Sequence, residues 1–292
     1  MAESWLQATL DSPQTAVAAV EAAFEALGAP VTWTQSASDE EILEPEPGAT
    51  PLWAAVRVTA LLPPDTPRER VLKAFPGARL HFEVVADRDW DAEWRRTLKP
   101  LRFGRRLWVC PVGQDCPNPS GVRVLLEPGL AFGTGTHPTT AMCLTWLEGQ
   151  PLAGLSVLDY GCGSGILAIA ALALGAGAAV AVDIDPQALA ATADNAARNG
   201  CSGQLTLGLP AELLPASRRT NFDVLVANIL SGPLVRLAPE LRRLARAGTR
   251  VALSGILADQ APEVIAAFAP WTPLTIAGEH GGWVLLAGAV AH

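Results

Sequence analysis

The run Val157-Leu-Asp159-Tyr-Gly161-Cys-Gly163-Ser-Gly165-Ile-Leu constrains this chain more than any other. A short apolar segment fit for a buried strand leads into three glycines at alternate positions, and an unbroken apolar stretch follows. Glycine lacks a Cβ, so such a loop can turn sharply and admit a ligand close to the backbone. A strand that turns this way into a helix belongs to an open, largely parallel sheet. A ligand then lies outside the carboxyl ends of the strands, at the switch point of the sheet. The bland alternative is a tight strand-to-helix turn that binds nothing.

The flanking pattern supports such a sheet. Strands are expected at Ser156–Tyr160, Ala178–Asp183, Gln204–Leu209, Phe222–Asn228, Thr249–Ser254, Thr272–Ala277 and Trp283–Ala287, with helices between most of them. Only Gly278-Glu-His-Gly-Gly282 joins the last two strands, too short for a parallel crossover, so they should form an antiparallel hairpin. Ile166 to Val182 is long and uncharged, near the lower limit for a membrane span. Gly175-Ala-Gly177 interrupts it and Asp183 ends it, as for a buried helix, a turn and a buried strand, so no membrane partner is expected. Residues 1–86 read as strand, helix, strand, strand, helix, strand, with the first helix starting at Asp11-Ser12-Pro13 and Asp39 to Pro47 in a loop. That order predicts a small ferredoxin-like α+β sandwich.

Two domains suit a chain of 292 residues. Residues 1–86 would form the first, residues 87–106 a linker helix and hinge, and residues 107–292 the second. Lys and Arg number 21 against 29 Asp and Glu, a net charge of −8 that argues against a generic nucleic-acid binder. The charge is uneven: −7 over residues 1–86, +3 over 87–126 and −4 over 127–292. In the linker, Trp90 and Trp94 lie four apart, and Arg95, Arg96, Lys99, Arg102, Arg105 and Arg106 crowd together. This segment is either a solvated helix or a weak contact for an anionic partner such as RNA. The five cysteines are odd in number and contain no C-x-x-C, so neither a disulfide framework nor a zinc site is expected. The first ten residues lack a basic segment followed by an apolar run, so no signal peptide is expected; the cysteine usage suits a reducing cytoplasm, and nothing in the sequence demands more than a monomer.

A nicotinamide dehydrogenase would carry G-x-G-x-x-G, but Ile166 stands where its third glycine would be. The pattern D-x-G-x-G-x-G instead resembles that of class I S-adenosylmethionine-dependent methyltransferases. An acid at the strand end, Asp159, can accept from the cofactor's ammonium group. Asp183, ending the next strand, can take both ribose hydroxyls, while Asp185 can cap the helix from Pro186. Gly161 and Gly163 in the loop and Ile184 after Asp183 complete the cofactor set. Asn228 ends the fourth strand, where amino-directed methyltransferases often carry Asn-Pro-Pro-Tyr to orient the target nitrogen. Here Ile229 and Leu230 follow it, which weakens a base- or glutamine-methyltransferase reading, and Asn228 could instead cap the helix near Ser231. Before the sheet, Leu126 to Thr140 is rich in glycine and hydroxyls. Phe132 could stack on the cofactor, Thr140 could bond to it, and His137 could either touch the substrate amine or serve the helix beginning at Pro138.

With LEPGLAFGTGTHPTT, VLDYGCGSGILAIAAL, AVDIDPQAL, DNAARNG, VANILSGPL and LSGILADQ, the whole chain closely resembles the bacterial ribosomal protein L11 methyltransferase (PrmA) family. The resemblance implies a substrate-recognition domain, a flexible linker and a catalytic domain with a seven-stranded, mostly parallel sheet. It implies methylation of α-amino and lysine ε-amino groups on the ribosomal protein, with cofactor contacts at Thr140, Gly161, Asp183 and Asn228. The alternatives are an amino-directed methyltransferase of another substrate and a binding module without turnover. The separate front domain counts against the first. The intact set of Asp159, Asp183 and Asn228 counts against the second.

Overall fold

A computed structural model describes residues 4–38, 52–86, 99–118, 121–127, 135–216 and 221–291. The chain divides into two compact units, Met1–Trp94 and Arg95–His292.

In the first unit the elements run β1 (Ser4–Pro13), α1 (Val17–Ala26), β2 (Val31–Ser36), β3 (Ala55–Leu62), α2 (Arg68–Ala74) and β4 (Leu80–Ala86). The sheet order is β2-β3-β1-β4 with every neighbour antiparallel, the connectivity of two split β-α-β units. Alternation sets its core. Leu6, Ala8 and Leu10 of β1 and Val56, Val58, Ala60 and Leu62 of β3 point inward onto Phe24, Val71 and Phe75 from the helices. The helix expected at Asp11-Ser12-Pro13 starts later. The strand continues through Pro13, because Asp11, Ser12 and Pro13 stay in register with Arg57, Val56 and Ala55, and Asp11 pairs with Arg57 at 2.7 Å. A short 3₁₀ turn, Gln14–Ala16, then leads into α1.

The second unit begins with a small sheet the sequence pattern did not reveal. Strands β5 (Leu101–Phe103), β6 (Leu107–Pro111) and β7 (Val122–Leu126) lie in the order β5-β6-β7, antiparallel then parallel. These strands are short and broken by arginine, glycine and proline, so no period develops. Part of the segment read as linker is therefore strand; the rest of the expected linker helix, with Trp90 and Trp94, and the loop from Asp39 lie outside the described residues. A disulfide, Cys110–Cys116, with Cα atoms 5.9 Å apart, joins β6 to the turn after it, against the expectation of none. A separation of six residues signals no known framework, and only the turn after Pro111 brings the two together. Cys143, Cys162 and Cys201 are buried thiols.

The main sheet follows: α3 (Pro138–Glu148), β8 (Ser156–Tyr160), α4 (Ile166–Ala173), β9 (Ala178–Val182), α5 (Pro186–Arg198), β10 (Leu205–Gly208), α6 (Pro210–Ala216), β11 (Phe222–Asn228), α7 (Ser231–Leu244), β12 (Ala245–Leu257), α8 (Ala261–Phe268), β13 (Leu274–His280) and β14 (Trp283–Ala289). The order is β10-β9-β8-β11-β12-β14-β13. It is parallel from β10 to β12, and β14 is antiparallel to both of its neighbours, so the terminal hairpin stands as expected. The chain reverses direction across the sheet between β8 and β11. Both faces are covered, which explains strands that are apolar throughout. Val157, Val224 and Val226 face one core with α3, α4 and the small sheet, while Leu158, Leu225 and Ala227 face the other with α7 and α8. The uncharged run from Ile166 is α4, a glycine turn and β9. Among the described residues no helix is long and apolar enough to cross a membrane.

Leu225 sits fully buried in the central strand. Its replacement by alanine should cost about 2–5 kcal/mol, read as a lower urea midpoint with an unchanged slope.

Candidate active site

Parallel strands carry their carboxyl ends to one edge, and Asp159, Asp183 and Asn228 lie at or beside those ends. Asp159, one residue before the end of β8, is fully buried. Its Oδ2 accepts from Ala168 N at 3.0 Å, in the first turn of α4. Its Oδ1 is buried without a hydrogen-bond partner among the described residues. Burial pushes this carboxyl up to about 7; the Ala168 amide offsets part of that effect and the charge of Asp183 adds to it. An orphaned carboxylate oxygen at the head of the glycine loop is fitted to a cationic donor, and an ammonium group is one.

The loop itself is held on several sides. Gly161 N and Cys162 N donate to Val182 O at 2.8 and 3.0 Å, and Gly163 N donates to Asp183 Oδ2 at 2.9 Å. Asp183 Oδ1 also accepts from Asp185 N at 3.0 Å, and Asp185 caps α5 by accepting from Gln187 N at 2.8 Å. Asp185 thus caps the helix as expected, while Asp183, read from the sequence as a ribose ligand, braces the loop at the edge of the site. Ile184 between them is 83% exposed, an apolar side chain left open beside the loop. The loop's carbonyls are held by Thr192 and Asn195 of α5, two residues to which the sequence reading gave no role. Their spacing on one helix face was the available signal.

Asn228 ends β11 beside β8. Its Nδ2 donates to Thr140 Oγ1 at 3.1 Å, joining the strand end to the first turn of α3. It does not cap α7, whose N-cap is Leu230 with no side-chain bond. With Nδ2 engaged, the oxygen Oδ1 is turned to act as an acceptor. Ile229 follows in a narrow slot. Gly161 and Gly255 both have positive φ, and a Cβ at either would run into Ile229, on its side chain from Gly161 and on its backbone from Gly255. The two glycines set the strand end against the cofactor loop.

His137 is the N-cap of α3. Its Nδ1 lies 2.7 Å from Thr139 Oγ1 and accepts from Thr139 N at 3.4 Å, and the ring meets Trp283 edge-on at 5.2 Å. Partial burial lowers its pKa, favouring the neutral ring. Of the two readings for His137, the helix-capping one describes its contacts. Phe132 lies outside the described residues.

Comparison with known proteins places this geometry. The family described as ribosomal protein L11 methyltransferase (PrmA) matches residues 4–290. Ribosomal protein L11 methyltransferase of Hahella chejuensis (strain KCTC 2396) is 48% identical over 290 residues, 98% of each chain. That of Azotobacter vinelandii (strain DJ / ATCC BAA-1303) is 50% identical over 291 residues, 97% of this chain and 98% of the relative. The crystal structure of a ribosomal protein L11 methylase from Lactobacillus delbrueckii subsp. bulgaricus aligns with a TM-score of 0.60 at 33% identity, covering 67% of this chain and all of the other.

If Asp159 receives the ammonium of S-adenosylmethionine, titrating the carboxyl must weaken binding. Affinity measured by calorimetry should be flat above pH 7 and fall up to about tenfold per unit below it. Asp159→Asn should bind more weakly at pH 8 and lose this dependence. The sign for stability is opposite. Between pH 4 and 7 the folded, ligand-free protein holds a proton that the unfolded chain has lost, so stability from this group falls as pH rises. At pH 8, ligand-free Asp159→Asn should therefore melt higher than the parent.

Proposed function

Because the chain belongs to the ribosomal protein L11 methyltransferase (PrmA) family, we propose that it transfers methyl groups from S-adenosylmethionine to α-amino and lysine ε-amino groups of ribosomal protein L11. The observation that carries this reading is Asn228, its amide nitrogen held by Thr140 and its oxygen left to accept, at the strand end beside the glycine loop.

The cofactor's contribution is an activated methyl group on a sulfonium. The chain's own residues do the rest. Asp159, Gly161, Gly163, Asp183, Ile184 and Thr140 hold the cofactor: the acids take its ammonium and ribose, and Ile184 offers an apolar surface to the base. Phe132 and His137 belong to the segment that meets the cofactor and the substrate. Asn228 Oδ1 accepts an N–H of the target amine and so aims the nitrogen lone pair at the methyl group. The amine must be neutral to attack. For a lysine of pKa ~10.4, deprotonation at pH 7 costs about 4–5 kcal/mol, and for an α-amine near 8 roughly 1 kcal/mol. Solvent takes the proton, and the site selects the neutral form, since desolvation and the sulfonium's charge both disfavour an ammonium.

The first unit recognises the protein substrate and is read as a ferredoxin-like domain. Residues 1–86 carry a net charge of −7, complementary to a basic ribosomal protein. Residues 87–100, ahead of the paired strand β5, act as the hinge that lets one recognition domain serve several amines. Their basic run offers a secondary contact to RNA. The chain works as a monomer in the cytoplasm, where ribosomal proteins are made.

Incubation with labelled S-adenosylmethionine and a whole ribosomal-protein extract should label a single protein, L11; label spread over many proteins, or none, would overturn the reading. Asn228→Ala should lower kcat about 10²-fold at saturating cofactor, a loss beyond any change in cofactor affinity. A chain lacking residues 1–86 should still bind cofactor but leave L11 unmethylated, checked by mass spectrometry.

A further inference from the structure

Among the described residues strand β7 is an edge strand, paired with β6 on one side. Its other side is met by side chains. Asn199, the C-cap of α5, accepts from Leu125 N at 2.8 Å through Oδ1 and donates to Leu125 O at 2.7 Å through Nδ2. One side-chain amide thus presents the donor and acceptor that a neighbouring strand would have supplied. One turn earlier, Asn195 Oδ1 accepts from Glu127 N at 3.1 Å, just past the end of β7. Its Nδ2 turns elsewhere and donates to Ser164 O at 3.0 Å, inside the glycine loop. Three residues before it, Thr192 Oγ1 donates to Gly163 O at 2.9 Å. Thr192 and Asn195 are both buried, at 0% and 2% exposure, beneath the loop.

Thr192, Asn195 and Asn199 therefore line one face of α5 and bind backbone in two places at once. Asn195 alone reaches both. It must donate to a carbonyl and accept from an amide together, which an aspartate cannot do. Breaking this buried bond removes the hold of α5 on Ser164 O, so the loop would shift from the position that bond sets.

We propose that Asn195 is a positioning residue for cofactor binding: through Ser164 O it sets the glycine loop, and through Glu127 N it ties that loop to the edge strand β7. The inference rests on the assignment of this loop to S-adenosylmethionine made above. Asn199 supplies a control, because the same amide-to-acid change there removes bonds to Leu125 O of β7 and to Asn195 O of the helix backbone, and none to the loop.

The test is to measure S-adenosylmethionine affinity by calorimetry, and the separate KM values for cofactor and L11, in Asn195→Asp and Asn199→Asp of the full chain. Asn195→Asp should weaken cofactor binding and raise the cofactor KM about tenfold or more, with the KM for L11 unchanged. Asn199→Asp should lower the melting temperature yet hold cofactor affinity within about twofold. Equal weakening by both changes, or parent affinity in Asn195→Asp, would overturn the proposal. If Asn195→Asp fails to fold by circular dichroism, the alanine pair at the same two positions is compared on the same criteria. Asp183→Ala separates the two layers. Parent affinity in Asp183→Ala would mean the loop assignment is wrong, whereas weakened binding there with parent affinity in the Asn195 variant would refute the positioning role alone.

Discussion

A carboxylate buried at the junction of β8 and α4 is the constraint around which the second unit is arranged. Asp159 spends one oxygen on the Ala168 amide and has no partner for the other among the described residues. Burying such a group without a partner costs stability, and the surrounding fold must supply the difference. It does so through two apolar cores, one on each face of a seven-stranded sheet. A stable scaffold thereby keeps at the carboxyl end of β8 a group whose unmet hydrogen-bonding capacity suits a positively charged donor.

The glycine loop shows how such a site stays open without being loose. Its amides are taken by Val182 O and Asp183, and its carbonyls by Thr192 and Asn195. A backbone satisfied in this way needs no ligand to keep its shape, so little ordering cost is left for binding. Asn228 follows the same logic. Its amide is half used by Thr140, which orients the half that remains. The slot for Ile229 between two glycines fixes the strand end against the glycine loop.

Much of this was legible in the residues because the features were local. Three spaced glycines after a buried strand, an acid at the end of each of two strands and a connection too short for a crossover each carry their meaning within a few residues. The strands Ser156–Tyr160 and Phe222–Asn228 match the expected bounds for that reason. What escaped the reading was non-local or too short to show a period. The small sheet β5–β7, the continuation of β1 through Pro13, the Cys110–Cys116 pairing and the inward face of α5 all depend on partners far along the chain or on a turn that no local pattern announces.

The sequence alone determined the parallel sheet with its terminal hairpin and the cluster of acids, glycines and an asparagine at the strand ends, because side-chain period and turn chemistry are properties of neighbouring residues. Only the tertiary structure decided what each polar group does. Whether Asn228 caps a helix or bonds Thr140, whether Asp183 or Asp185 braces the loop, and whether Asn195 lies on the surface or clamps buried backbone all turn on which donors and acceptors lie within hydrogen-bond reach. That is fixed by the packing of α3 and α5 against the sheet, a geometry written in the chain as a whole.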